Sequence, residues 1–193
     1  MTLPRFYPIF DDVTWLRRAL PLGVKLVQLR IKDRPDAELR RMLAEGQALC
    51  AVHGATLVVN DHWQIAIDLG CDWLHLGQED LDEADIAAIR RAGLKLGVST
   101  HDHAELDRAL SLDPDYIALG PVYPTILKQM KWHQQGVEKL KKALAEEATL
   151  ALALTLALAL ALLRISTPTP YLGPNVYLWS NPNPGLKPGL NPA

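Results

Sequence analysis

The sequence predicts an α/β protein, a (β/α)8 barrel of the TIM type whose last two β/α units are absent or aberrant. Six short apolar strand candidates alternate with helices from residue 7 to about 147. Their starts lie roughly 17 to 31 residues apart, which is the length of one β/α unit. No Gly-x-Gly-x-x-Gly turn follows the first strand, and this weighs against an open, doubly wound dinucleotide-binding sheet.

The strand candidates are short and nearly continuous in apolar character, as parallel strands buried on both faces are. They are YPIF (7–10), KLVQLRI (25–31), TLVVN (56–60), WLHLG (73–77), KLGVS (95–99) and YIALG (116–120). The intervening helices are predicted from their start and stop signals. Pro35 opens a helix that Gly54 closes, and Asp82 and Asp102 are the predicted N-caps of two others.

Composition limits the class of protein. The 193 residues are 49% hydrophobic, enough for one domain with a sizeable core, and the net charge of −2 gives no basic surface for nucleic acid. Cys50 and Cys71 lack metal-ligand spacing, so we interpret them as buried apolar groups in a reducing cytoplasm. The N-terminus has no apolar export signal, which favours a cytoplasmic protein.

The chain changes character after residue 147. Residues 1–147 form the six predicted barrel units, residues 148–163 are an apolar Leu/Ala-rich segment, and residues 164–193 are a Pro/Gly/Asn-rich tail predicted to be irregular. As a helix the apolar segment reaches about 24 Å, short of a ~30 Å hydrocarbon core, so a membrane anchor is the disfavoured interpretation. A frameshift, a truncation with foreign sequence and an artificial sequence each remain open as its origin.

Two carboxylates follow successive strands. Asp61 comes directly after the third strand and Asp80 lies in the loop after the fourth. Active sites of such barrels are built at the C-terminal ends of the strands, so the two are expected to converge above the barrel mouth. The alternative is that both are helix N-caps, a common role of Asp.

The second strand adds cations at the same rim. Gln28, Arg30 and Lys32 recur at period two and are expected on one face of the strand, near the upper rim of the barrel interior. A surface salt-bridge ladder is the alternative, against which the apolar neighbours argue. Two cations and two carboxylates at one rim indicate a polyphosphate bridged by Mg²⁺, which prefers carboxylate and phosphate oxygens.

Five segments in order, VQLRIKD, VVNDHW, HLGQEDL, LGVSTH and IALGPVYPT…K, together resemble thiamine phosphate synthase across residues 7 to about 140. The resemblance implies a (β/α)8 transferase that joins a 4-amino-2-methylpyrimidine methyl pyrophosphate to a thiazole phosphate, giving thiamine phosphate and pyrophosphate. Its implied partners are these two small-molecule substrates, and its implied metal is Mg²⁺.

The resemblance also assigns roles to residues. Residues implied to hold the pyrimidine pyrophosphate are Gln28, Arg30, Lys32, Asn60 and Ser99. Asp61 and Asp80 are implied Mg²⁺ ligands, and Thr125 is implied to meet the thiazole phosphate. Lys128 is implied to reach the pyrophosphate, whose developing negative charge it would stabilise with Arg30 and Lys32. The neighbouring His75 is expected to be a hydrogen-bonded core histidine.

Two departures from the family pattern concern the thiazole phosphate. Leu127 stands where the family usually has a second Thr, and no Gly-Gly turn occurs after residue 149 to form a phosphate site. We therefore expect weak thiazole phosphate binding and low turnover. A thiazole tautomerase relative, and a non-catalytic or incompletely folded ligand-binding remnant, remain alternatives. Strands one and six would be left with unpaired edges, which is compatible with a homo-oligomer.

Overall fold

The computed structural model describes residues 3–120 and the backbone of residues 175–178. The strands are β1 Ile9–Phe10, β2 Leu26–Leu29, β3 Thr56–Asn60, β4 Trp73–Leu76, β5 Lys95–Thr100, β6 Tyr116–Leu119 and β7 Asn175–Leu178. The α-helices are α1 Thr14–Ala19, α2 Asp36–His53, α3 Trp63–Asp68, α4 Ile86–Arg91 and α5 His103–Ser111. Two 3-10 turns span Leu20–Leu22 and Asp80–Asp82.

The strands form one parallel sheet in the order β1-β2-β3-β4-β5-β6-β7. All six strands predicted from the sequence are present. The α/β class is as predicted, but the prediction of a (β/α)8 barrel is wrong, because the described strands form an open half-barrel. Closure requires a ladder between the first and last strands, whereas in the described ranges β1 pairs with β2 through Ile9 and Phe10, and β7 pairs with β6.

The outer edge of β6 carries a seventh strand. Asn175–Leu178 pairs in parallel with Tyr116–Leu119, residue for residue. The expectation that the edge of strand six stays unpaired is therefore wrong, and this strand lies inside the tail for which the sequence predicts irregular structure. The predicted apolar segment, residues 148–163, lies outside the described residues.

Two clusters of buried side chains lie on opposite faces of the sheet. The larger one joins the strands to the helices. The smaller one lies on the inner face and consists of Leu3, Leu26, Val58, Trp73 and Tyr116. Because strand side chains alternate between faces, Gln28, Asn60 and His75 lie two residues farther along the same inner face, toward the C-terminal strand ends. The half-barrel thus has an apolar floor with polar groups above it.

The helix signals mostly match the structure. Helix α2 follows Pro35 and ends at Gly54, whose φ of 56° is the left-handed conformation that glycine adopts readily. Asp102 caps α5 by accepting from the Glu105 N–H. The predicted cap Asp82 is wrong: α4 begins later, and Asp85 caps it by accepting from the Ala88 N–H. Asp82 instead pairs with Arg108.

The two cysteines are buried, as predicted, and burial raises the pKa of each thiol to about 11. At pH 8 only about one thiol in a thousand would be the reactive thiolate, and neither sulfur is accessible. We expect the native protein to resist iodoacetamide at pH 8 and both cysteines to react after denaturation. Mass spectrometry of the alkylated protein measures this, and rapid labelling of the native protein would contradict it.

No helix in the range 3–120 is both long and apolar enough to cross a membrane.

Candidate functional site

Asp61 stands at the end of β3 in an unusual backbone conformation. Its φ is 64°, in the left-handed region where Asp is one of the tolerated residues. Its side chain is not a helix cap, because His62 holds the N-cap position of α3 and makes no side-chain cap bond. The alternative role weighed for Asp61, a helix N-cap, is thereby excluded.

Asp80 meets Asp61 from the loop after β4. The Gly77 N–H donates to its Oδ2 at 2.9 Å, which fixes the carboxylate inside the loop. Burial, followed by the charge of Asp61 and a side-chain hydrogen bond with it, raises the pKa of Asp80. Two carboxylates close enough to disfavour double ionisation are thus held together at the C-terminal edge of the sheet, as the sequence predicts.

Lys32 balances part of this negative charge. Its Nζ pairs with Oδ2 of Asp61, whose side chain is only 12% exposed. Strand β2 ends at Leu29, so Lys32 and Arg30 lie in the following loop, where both are exposed. Arg30 and Lys32 are therefore exposed beyond the end of the strand and are not buried on it. Gln28, in contrast, is buried on the strand, at 2% exposure.

Asn60 is the last residue of β3 and is buried. Its Nδ2 has no hydrogen-bond partner among the described residues. A buried amide without a partner costs free energy, on the order of 1–3 kcal/mol, unless something fills its donor capacity. Because Asn60 lies on the inner face next to Asp61, a hydrogen-bond acceptor on a bound ligand could satisfy this N–H.

His75 is hydrogen-bonded through both ring nitrogens, as predicted for a core histidine. Nδ1 lies 2.7 Å from the Tyr116 hydroxyl, and Nε2 lies 2.7 Å from Oγ of Ser99. Burial lowers the pKa of His75 to about 4, although the charge of Asp61 acts in the opposite direction. The ring is therefore neutral near pH 7 and serves as a fixed link beneath the site.

The structure brings together the predicted residues of the pyrimidine pyrophosphate side. Gln28, Arg30, Lys32, Asn60, Asp61, Asp80 and Ser99 all belong to β2, β3, β5 or the loops after β2, β3 and β4. The other three, Thr125, Leu127 and Lys128, lie outside the described residues. The sequence pattern did not identify Tyr7 and Tyr116 as site residues. Both stand in apolar strand candidates, where a tyrosine is expected to pack in the core and nothing indicates the direction of its hydroxyl. The only sequence signal was Gly97, since a glycine inside a strand marks a close approach.

The donor set suits a hard divalent cation. Two carboxylates offer the oxygen ligands that Mg²⁺ prefers, and Mg²⁺ typically takes one or two carboxylates and completes its shell with water and substrate phosphate. Within residues 3–120 no cluster of three or more metal-ligating side chains occurs. Asp61 and Asp80 are thus the two described side chains that could supply carboxylate oxygens to such a cation.

Comparison with known proteins assigns the family. A family model described as Thiamine monophosphate synthase matches residues 6–154. A thiamine-phosphate synthase of Rhizobium etli is 62% identical over 140 residues, covering 72% of this chain and 69% of that protein. Its counterpart in Serratia proteamaculans is 51% identical over 139 residues, covering 72% of this chain and 66% of that protein.

A solved structure supports the assignment. Thiamine phosphate pyrophosphorylase from Pyrococcus furiosus superposes with a TM-score of 0.61 at 29% identity, over 70% of this chain and 67% of that one. The match in sequence covers the β2, β3, β4 and β5 segments that build the site. The chain belongs to the thiamine monophosphate synthase family of enzymes.

Proposed function

We propose that this protein joins a 4-amino-2-methylpyrimidine methyl pyrophosphate to a thiazole phosphate, giving thiamine phosphate and pyrophosphate. The observation that carries the proposal is the pairing of Asp61 with Asp80 beside Lys32. A thiazole tautomerase has no use for such a pair, because its reaction releases no pyrophosphate. The family membership and the names of the relatives support the same reaction.

The pyrophosphate side of the site has a role for each charged group. Asp61 and Asp80 would hold Mg²⁺, which when bound supplies Lewis-acid stabilisation of pyrophosphate oxygens. Lys32 is exposed and adjacent, so its ammonium can exchange Asp61 for a phosphate oxygen. Arg30, exposed in the same loop, can grip a second phosphate with its planar guanidinium. These cations stabilise the negative charge that develops as the C–O bond to pyrophosphate breaks.

The neutral polar groups orient the pyrimidine substrate. Asn60 would donate its unpartnered Nδ2–H, and Gln28 and Ser99 would contact the substrate from opposite sides of the half-barrel. The pyrimidine methyl cation left by ionisation is captured by the thiazole nitrogen, so the reaction needs positioning and charge stabilisation rather than a covalent nucleophile. We place the reaction in the cytoplasm, with the two phosphorylated heterocycles as the partners.

The thiazole side depends on residues outside the described range. We propose that Lys128 assists pyrophosphate departure and that Thr125 contacts the thiazole phosphate next to Leu127. We further propose that this phosphate binds weakly, because no Gly-Gly turn follows residue 149.

The test is pyrophosphate release in the presence of both substrates and Mg²⁺. We expect release that requires both substrates and is abolished by EDTA, at a rate limited by thiazole phosphate. Release of no pyrophosphate, with tight binding of the pyrimidine substrate, would overturn the transferase activity and favour a ligand-binding remnant. Release that persists in EDTA would overturn the role of Mg²⁺.

Arg30→Ala should weaken binding of the pyrimidine pyrophosphate and leave folding intact. The lost charge-assisted hydrogen bonds are worth roughly 1.5–3 kcal/mol, or about 10- to 150-fold in affinity. Because Arg30 is exposed, its removal should change the free energy of unfolding by less than about 0.5 kcal/mol. Calorimetry of substrate binding and chemical denaturation measure the two quantities.

The matched control for Arg30→Ala is Arg34→Ala. Arg34 is an exposed arginine four residues later, paired with Glu38. Arg34→Ala should lower the affinity for the substrate only slightly, through a small loss of long-range electrostatic attraction. Equal losses in both variants would mean that the affinity reflects general charge rather than a contact with Arg30.

A further inference from the structure

A chain of hydrogen bonds crosses the inner face of the half-barrel beneath the site. Gln28 Nε2 donates to the Tyr7 hydroxyl at 2.9 Å, and this hydroxyl lies 2.7 Å from that of Tyr116. The Tyr116 hydroxyl lies 2.7 Å from Nδ1 of His75, whose Nε2 lies 2.7 Å from Oγ of Ser99. The chain thus connects Gln28 on β2 with Ser99 on β5.

The chain is built into the core. Gln28, His75 and Tyr116 are 2%, 5% and 0% exposed. The Tyr116 ring stacks on that of His75, with centroids 5.5 Å apart at 22°, and meets the Tyr7 ring edge-on at 6.0 Å. Such packing fixes both hydroxyls in place.

Gly97 makes the position of Tyr116 available. These two residues are register partners on β5 and β6. A Cβ at residue 97 would lie 2.0 Å from Cζ of Tyr116 and 2.5 Å from its hydroxyl oxygen. The Tyr116 ring therefore occupies the space that a side chain at residue 97 would fill. In this position its hydroxyl reaches His75.

One order of donation is consistent with all four hydrogen bonds of the chain. Gln28 Nε2–H donates to the Tyr7 oxygen, and in this order the Tyr7 O–H donates to the oxygen of Tyr116. In the same order the Tyr116 O–H donates to Nδ1 of His75, and the ring proton is on Nε2. That N–H donates to Oγ of Ser99, and the Ser99 O–H is left to point away from the core.

We propose that Tyr116 and His75 are positioning residues that hold Ser99 as a hydrogen-bond donor toward the pyrimidine pyrophosphate substrate. The inference rests on the proposed function for the identity of that substrate. Ser99 is half-buried at the C-terminal end of β5, at the edge where Asp61 and Asp80 meet, so a donor there faces an anionic ligand. Tyr116 itself is fully buried, and its proposed effect on Ser99 passes through His75.

The experiment is a double-mutant cycle read out as affinity for the pyrimidine pyrophosphate in the presence of Mg²⁺. Tyr116→Phe removes one hydroxyl and keeps the ring that packs on Gly97. We expect Ser99→Ala and Tyr116→Phe each to weaken binding roughly 3- to 10-fold, the worth of one hydrogen bond. The double variant should bind no more weakly than Ser99→Ala alone, because Tyr116 acts through Ser99. If the double variant instead lost affinity by the product of the two single losses, the proposal would be overturned.

The control variant is Thr100→Val. Thr100 is also fully buried on β5, follows Ser99 directly, and donates to the Ala118 carbonyl at 3.3 Å. Its side chain lies on the opposite face of the sheet from Ser99, so its loss should leave affinity unchanged. A loss equal to that of Tyr116→Phe would show that any buried hydroxyl on this part of the sheet matters, and would overturn the specific link.

A second measurement needs no ligand. Nitrogen-15 NMR of the histidines should show His75 neutral with its proton on Nε2 in the unmutated protein. Tyr116→Phe should lose this single tautomer, since Nδ1 then has no donor. A proton on Nδ1 in the unmutated protein would overturn the proposal. Because this result and the affinities do not depend on turnover, a protein that binds the substrate without releasing pyrophosphate disproves the transferase function while the cycle still stands.

Discussion

Asp61→Asn should abolish the Mg²⁺ dependence of pyrimidine pyrophosphate binding and lower turnover by more than about 100-fold. Even the loss of a residue that only hydrogen-bonds a metal ligand lowers metal affinity or activity about 10- to 100-fold. Asn is the informative replacement because, like Asp, it tolerates the left-handed conformation at φ 64°. The substitution removes the charge that Asp80 and Lys32 face while preserving the shape. Calorimetric titrations of the substrate with and without Mg²⁺ measure the effect.

Asp113→Asn is the matched control for this variant. Asp113 also has a left-handed backbone, with φ 50°, but it precedes β6 and so lies at the opposite end of the sheet from Asp61. It should bind the substrate and Mg²⁺ as the unmutated protein does. If Asp61→Asn retained metal-dependent binding while both variants stayed folded, Asp61 would have no role as a ligand.

Gly97→Ala should destabilise the protein by about 1–3 kcal/mol or more, the usual cost of overfilling a packed core. The added methyl carbon would lie 2.0 Å from Cζ of Tyr116, far inside contact distance. The ring cannot turn aside easily, because Trp73, Tyr7 and His75 surround it. Chemical denaturation gives the free energy of unfolding.

A rescue variant tests whether Gly97→Ala destabilises the protein through this clash or through an unfavourable effect of alanine on β5 in general. Combining Gly97→Ala with Tyr116→Leu empties the space above residue 97. We expect the two changes together to cost at least about 1 kcal/mol less than the sum of the single costs, because residues in contact are coupled. Additive costs would show that Tyr116 is not what requires the glycine.

The local pattern of this sequence determined most of the scaffold. Short runs of mainly apolar residues predicted the six strands, and Asp102 and Gly54 marked helix ends, because these signals depend on local backbone preferences. The same parallel order placed Asp61 and Asp80 at one edge, since carboxyl ends of parallel strands lie together. The type of site was therefore readable before any contact was known.

Contacts between distant residues were decided only by the tertiary structure. Tyr7 and Tyr116 are 109 residues apart, and no local signal shows that their hydroxyls meet. The ladder from β6 to Asn175–Leu178 likewise joins distant segments, and the end of β2 at Leu29 leaves Arg30 exposed instead of buried. The sequence alone determined which residues stand at the strand ends. Only packing decided how far the sheet closes and which side chains touch, because closure and contact depend on how all the strands fit together.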